Sequence, residues 1–223
     1  EASLQLIQTY RKHNSGRTFH SALAHSAQED QFLDVLTLIN ILTHIISKDF
    51  LDFDQSNGNF YGEVKVTNND LDVSIVVFMG LNLILPLITL DMLQFPKLSM
   101  QYFTLVTFMF EIYPQKAAQL PSELFEQLVT SIVFGIRHPK TKIAKLSFEA
   151  LKSMADYNIR NNRIPFRQQE EKNKDFVSYL LQSIFSLILF EVFSDDLLEA
   201  MSEALFVLML WDEKQYQSVI NGF

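Results

Sequence analysis

The sequence predicts an all-α fold, an α-α superhelix of stacked antiparallel helix pairs. Three observations predict it. Apolar residues recur at helical spacing along most of the chain. Gly and Pro number only 6 each among 223 residues, too few for a turn-rich β protein. The helical runs come in pairs, joined by short turns at a roughly regular interval.

Taken in chain order, Ser3 to Lys12 reads as a short helix and Glu29 to Phe50 as a long one. Asp54 to Asn69 is a loop, because Asn57-Gly58, Asn59 and Gly62 are turn formers; within it Glu63-Val64-Lys65-Val66 suits a brief strand. Asp70 to Leu90 is the first helix of a pair, with Pro86 expected to kink it. Its partner runs from Pro96 to Tyr113. There Leu98, Tyr102, Leu105, Met109 and Ile112 form one stripe, and Phe103, Val106 and Phe110 a second. Two apolar stripes on one helix require neighbours on two sides. Pro96 fits a first helical turn, and Pro114 stops the run.

The next pair begins at Pro121-Ser122-Glu123. Leu124, Leu128, Val129, Ile132, Val133 and Ile136 give it a stripe as far as Arg137. Pro139 opens the second helix, with Ile143, Leu146, Ala150, Leu151 and Met154 inward. The turn His138-Pro139-Lys140 is so short that the two helices must lie antiparallel. Asn158 to Lys174 is polar, contains Pro165 and reads as an exposed connector. The last pair is Asp175 to Phe193 and Asp195 to Trp211, with Ser194, Asp195 and Asp196 as turn and cap residues.

The pair starts near 70, 121 and 175 are 51 and 54 residues apart. HEAT-type helix pairs repeat at about 40–47 residues, and inserted loops lengthen the period. Residues 1–223 therefore read as a single HEAT-repeat unit of about four helix pairs, with loops near 54–69 and 158–174 and no internal domain boundary. The chain opens Glu1-Ala2-Ser3, with neither Met nor a basic-then-apolar leader, so no signal peptide is read, and the missing Met suggests either a piece of a longer protein or processing.

Several function classes are disfavoured. The acidic balance, 26 Asp and Glu against 18 Lys and Arg, argues against binding nucleic acid or anionic lipid with the whole domain. Cys is absent, so there is no disulfide, thiolate nucleophile or Cys-ligated metal. Val73 to Leu90 lacks charged residues and reaches the length of a membrane span. However, it contains Ser74, Gly80, Asn82, Pro86 and Thr89 and lacks basic anchors at its ends, which favours a helix buried within a stack. The scattered glycines form neither phosphate-binding loop pattern, and there is no G-x-S-x-G elbow. His13, His20, His25, His44 and His138 lack metal-ligand spacing. Asp195-Asp196 and Glu170-Glu171 are adjacent acids that point to different helix faces. The expectation is a non-enzymatic protein with no catalytic residues, no metal and no cofactor.

Charge is blocked along the chain. Residues 29–72 carry nine acids and two bases, residues 139–174 nine bases and four acids, and residues 175–223 eight acids and one base. In a stack, sequence blocks become spatial blocks, so an acidic surface facing a basic partner is one reading and plain solvated faces the other.

Gly80-Leu81-Asn82-Leu83-Ile84-Leu85-Pro86-Leu87, then Asp91-Met92-Leu93-Gln94-Phe95-Pro96-Lys97-Leu98, resembles the C-terminal region of the exportin-4 family of importin-β superfamily karyopherins. So do Gln101-Tyr102-Phe103, Phe110-Glu111-Ile112-Tyr113-Pro114-Gln115-Lys116 and Gln119-Leu120-Pro121-Ser122-Glu123-Leu124-Phe125. The resemblance is clearest from about 73 to 136 and thins toward Tyr216. It implies a HEAT-repeat nuclear export receptor without enzymatic activity, which shuttles between nucleus and cytoplasm. It implies Ran-GTP, nuclear pore proteins and protein cargo as partners, with the hypusine-bearing translation factor and Smad-type proteins among the cargo. No functional motif carries binding residues across. In HEAT stacks the second helix of each pair usually lines the concave face. This singles out Lys142, Lys145, Glu149, Lys152 and Asp156, and in the last pair Glu199 and Glu203, as candidate protein-binding residues. The rival reading is a generic α-solenoid adaptor of another complex.

Overall fold

The computed structural model describes residues 32–47, 73–162, 165, 166, 169 and 176–222. The expected helix at Ser3–Lys12, the loop and brief strand within Asp54–Asn69, and His13, His20 and His25 lie outside the described residues. The fold is all-α and solenoid-like. In chain order the helices are α1 (residues 32–47), α2 (Val73–Ile84), α3 (Pro96–Ile112), the short α4 (Pro114–Ala117) and α5 (Ser122–Ile136). They continue as α6 (Thr141–Arg160), α7 (Phe176–Phe190), α8 (Asp195–Trp211) and α9 (Glu213–Asn221).

The first helix of the α2/α3 pair is shorter than expected. It does not run on to Leu90 with a kink at Pro86. It ends at Ile84, passes into a 3-10 turn over Leu85–Leu87, and a second such turn at Met92–Gln94 leads into α3. Proline removes a backbone donor and clashes with the preceding turn, so the α-helix stops rather than bends. Among the described residues no helix is long and apolar enough to cross a membrane.

Pro96 opens α3 and Tyr113 closes it, as the stripes predict. Both stripes face inward, with Leu98, Tyr102, Phe103, Leu105, Val106, Met109 and Phe110 all within the core, while Ile112 at the helix end is half-buried. Pro114 does more than stop this helix, since it also opens α4. The α5/α6 hairpin turns over Arg137 to Lys140, and α6 starts at Thr141 rather than at Pro139. Leu128, Ile132, Ile143, Leu151 and Met154 are buried, whereas Leu146 is only half-buried. Ser194 holds the N-cap position of α8 without a side-chain cap bond, and Asp195 and Asp196 occupy its first turn. Asp212 caps α9, its carboxylate accepting the Gln215 N–H at 3.0 Å.

The second helices α3, α6 and α8 pack side by side and run the same way. Thr107 of α3 reaches the Leu146 carbonyl of α6 at 2.9 Å. One turn further along both helices, Glu111 interacts with Glu149. Parallel neighbours follow from topology, because each second helix is returned by an antiparallel first helix.

The stretch expected as an exposed connector is not simply exposed, and its first residues, Asn158 to Arg160, belong to α6. Asn158, Phe166 and Gln169 are buried. The Asn158 side chain accepts the Phe166 N–H at 3.2 Å, and the Gln169 amide donates to the Leu120 carbonyl at 2.7 Å. Phe166 sits 5.8 Å from the Phe125 ring and 5.6 Å from Trp211, inside the aromatic cluster that Phe176 completes. Amide side chains satisfy backbone groups inside the fold, so a polar segment can still be buried.

Candidate functional site

The face built by the second helices carries the charge. The α6 sequence alternates buried residues such as Ala144, Phe148, Leu151 and Ala155 with polar ones on the opposite side. Its outward face meets that of α8 in a cleft of about 290 Å³. Phe148 forms an apolar part of the wall, and Ser153 and Ala200 line it too. The charged lining consists of Glu111, Lys145, Glu149, Lys152, Asp196, Glu199 and Glu203. Five carboxylates thus face two ammonium groups, and each of the three parallel helices contributes an acid.

Lys152 Nζ donates to Glu203 Oε2 at 2.7 Å across the cleft. This hydrogen bond, followed by the charges of Glu203, Asp156 and Glu149, holds the Lys152 ammonium above its ordinary range. The Glu111 carboxyl is pushed up, first by partial desolvation at the cleft wall and then by the negative charge of Glu149. The local field therefore resists added negative charge and favours cations.

Five of the residues singled out from sequence line this cleft together: Lys145, Glu149, Lys152, Glu199 and Glu203. Asp156 acts on it through its charge on Lys152. Lys142 is exposed in the first turn of α6 and does not line the cleft. Sequence reasoning missed Glu111 and Asp196. Glu111 stands at the end of the previous second helix, and the parallel offset between α3 and α6 was the signal that would have found it. Asp196 was read as a helix-start residue alone. It occupies that position and lines the cleft as well.

The arrangement suits binding. Charge-paired carboxylates on an open face can receive a lysine- or arginine-bearing surface. Among the described residues there is no group of three or more His, Cys, Asp or Glu side chains placed to hold a metal ion. His44 is a helix-surface residue, its ring nitrogen bonded to the Asn40 carbonyl at 2.7 Å.

A sequence model of the family described as Exportin-4 matches residues 4–222. The chain is also similar to Exportin-4 of Dictyostelium discoideum, at 27% identity over 196 residues. That match covers 83% of this chain and 15% of the relative, so the chain spans only a small part of the relative's length.

Proposed function

The chain belongs to the exportin-4 family, and from that premise we propose that it forms part of a nuclear export receptor. In this reading, residues 1–223 are one HEAT-repeat unit within a longer, non-enzymatic karyopherin that shuttles between nucleus and cytoplasm. The antiparallel α5/α6 hairpin and the parallel second helices support the repeat reading. The receptor binds protein cargo together with Ran-GTP and passes nuclear pore proteins. Cargo with basic surface is favoured, such as the hypusine-bearing translation factor, and Smad-type proteins are further candidates.

The observation that carries the reading is the family match, which extends over residues 4–222. The acid-rich cleft supports a contact surface within it. Lys145, Glu149, Lys152, Glu199 and Glu203 would meet cargo there, joined by Glu111 and Asp196. Asp156 and Lys142 would take part from its margins.

The test uses a full-length family member carrying these residues, incubated with purified hypusinated translation factor, with and without GTP-locked Ran. Retention only with Ran-GTP, weakened by Glu199→Lys with Glu203→Lys, is the expected result. Retention indifferent to Ran would replace the export reading with that of a generic α-solenoid adaptor. Ran-dependent retention untouched by the double charge reversal would move the contact away from this cleft.

A further inference from the structure

Helix α7 is apolar almost throughout. Apart from Tyr179, its only polar residues are Ser178, Gln182, Ser183 and Ser186. All four line one open groove of about 570 Å³. Ser178, Gln182 and Ser186 recur at every fourth residue, so they form a stripe along the groove. Arg137, at the end of α5, and Ser218, on α9, lie on the groove as well. Among the described residues no Asp or Glu lines it, in contrast to the acid-rich cleft.

Arg137 is exposed and has no carboxylate partner among the described residues. Among the described residues its one side-chain hydrogen bond is a long one, from Nη2 to the Ser183 carbonyl at 3.5 Å. A cation at a helix C-terminus is favourable for the fold, but that role uses little of the guanidinium fork. The hydroxyls of Ser186 and Ser218 make no protein hydrogen bond among the described residues, and Gln182 reaches only the Ser178 hydroxyl, at 3.4 Å. The groove therefore presents a cation and several donors that lack acceptors.

We propose that this groove binds a phosphorylated serine or threonine of a partner protein, with Arg137 as its charged anchor. A guanidinium offers paired donors that match phosphate oxygens, and hydroxyl and amide donors can serve the remaining oxygen. A phosphate carries nearly two negative charges, against one for a carboxylate. A chain with a net charge of −8 repels a dianion at long range, so selectivity for phosphate rests on the paired donors within the groove. The groove has room for the residues flanking the phosphate. This site is independent of the export reading and lies on different helices from the candidate cargo cleft.

The test is a nitrogen-15 NMR titration of the chain with a capped peptide, acetyl-Ala-Ala-phosphoserine-Ala-Ala-amide. Peptides with Ser or Glu at the centre serve as controls. The phosphopeptide is expected to give saturable shifts at the amides of residues 178–186 and 218–222, and the Ser peptide none. Arg137→Gln should weaken binding by about tenfold or more, and Arg137→Lys by less, because lysine keeps the charge but loses the fork. Arg137 is exposed, so its variants should retain the wild-type spectrum outside the groove. If Arg137→Gln does not, Ser218→Asp supplies the second variant, placing a carboxylate in the groove and weakening binding. Absence of saturable shifts, shifts elsewhere, equal binding of the Glu peptide, or full affinity in Arg137→Gln would each overturn the proposal.

Discussion

Lys152 Nζ sits 2.7 Å from Glu203 Oε2 and so joins two neighbouring second helices across the acid-rich cleft. Both side chains remain 40% and 48% exposed. Solvent-screened pairs of this kind stabilise by at most about 1 kcal/mol. The bridge therefore matters more to the cleft's field than to the fold. Lys152→Met is expected to change unfolding free energy by less than about 1 kcal/mol. It should also raise the affinity of the cleft for a short oligolysine peptide several-fold, since it removes a resident competing cation. Urea denaturation and fluorescence anisotropy at low salt check the two halves. Weaker peptide binding in the variant would show that Lys152 helps to hold the peptide rather than competing with it.

Gly135 of α5 lies against both α3 and α6. A Cβ there would overlap the Ser147 hydroxyl and lie 2.5 Å from the Phe103 ring. Helix propensity alone predicts that Gly135→Ala stabilises by about 1 kcal/mol. Overpacking a rigid core costs about 1–3 kcal/mol, and here the obstacle includes an aromatic ring with nowhere to move. The clash wins, so Gly135→Ala should lower the melting temperature by several degrees. Gly80→Ala is the control. Its added methyl would meet the flexible end of Leu42, 2.6 Å away, and should cost less. Equal melting temperatures for the two variants would refute the close-approach account of Gly135.

The helix pairs were legible because an apolar stripe and a two-sided stripe have different consequences for burial. Leu128 and Leu98 could be placed inward from spacing alone, and they are buried. Leu146 shared the same spacing but lies near the α3 contact at the margin of the core, where periodicity does not resolve depth. The connector was misjudged because Asn158 and Gln169 are polar yet buried. Their bonds are made to backbone groups outside any helical spacing, at Phe166, eight residues on from Asn158, and at Leu120, 49 residues before Gln169. Pattern analysis cannot see such partners. The cleft was half legible for a related reason. Residues on α6 and α8 follow from facing second helices, whereas Glu111 enters only once the offset between α3 and α6 is known.

His138, in the tight α5/α6 turn, makes the fold sensitive to acid. It is buried, its Nδ1 accepts the Lys140 N–H at 3.1 Å, and its ring meets Phe134 edge-on. Burial first, and the Lys140 charge second, hold its protonation below the ordinary value of 6.5. The unfolded chain therefore takes up this proton before the folded one. In that interval stability rises with pH, and it is lost as pH falls through 6.5 toward the lowered native value. Protonation also turns Nδ1 from acceptor to donor and breaks the bond to Lys140. Glu111 acts in the opposite sense. Its carboxyl is raised above 4.5, so the folded state holds that proton longer and gains stability as pH falls into the interval. The exposure of Glu111 keeps that opposing effect small. Urea unfolding at about pH 7.5 and about pH 5.5 should show a net loss for the wild type. The loss should shrink in His138→Asn, which keeps an acceptor without the titration, and grow in Glu111→Gln. An unchanged pH dependence in His138→Asn would assign the acid sensitivity to other groups.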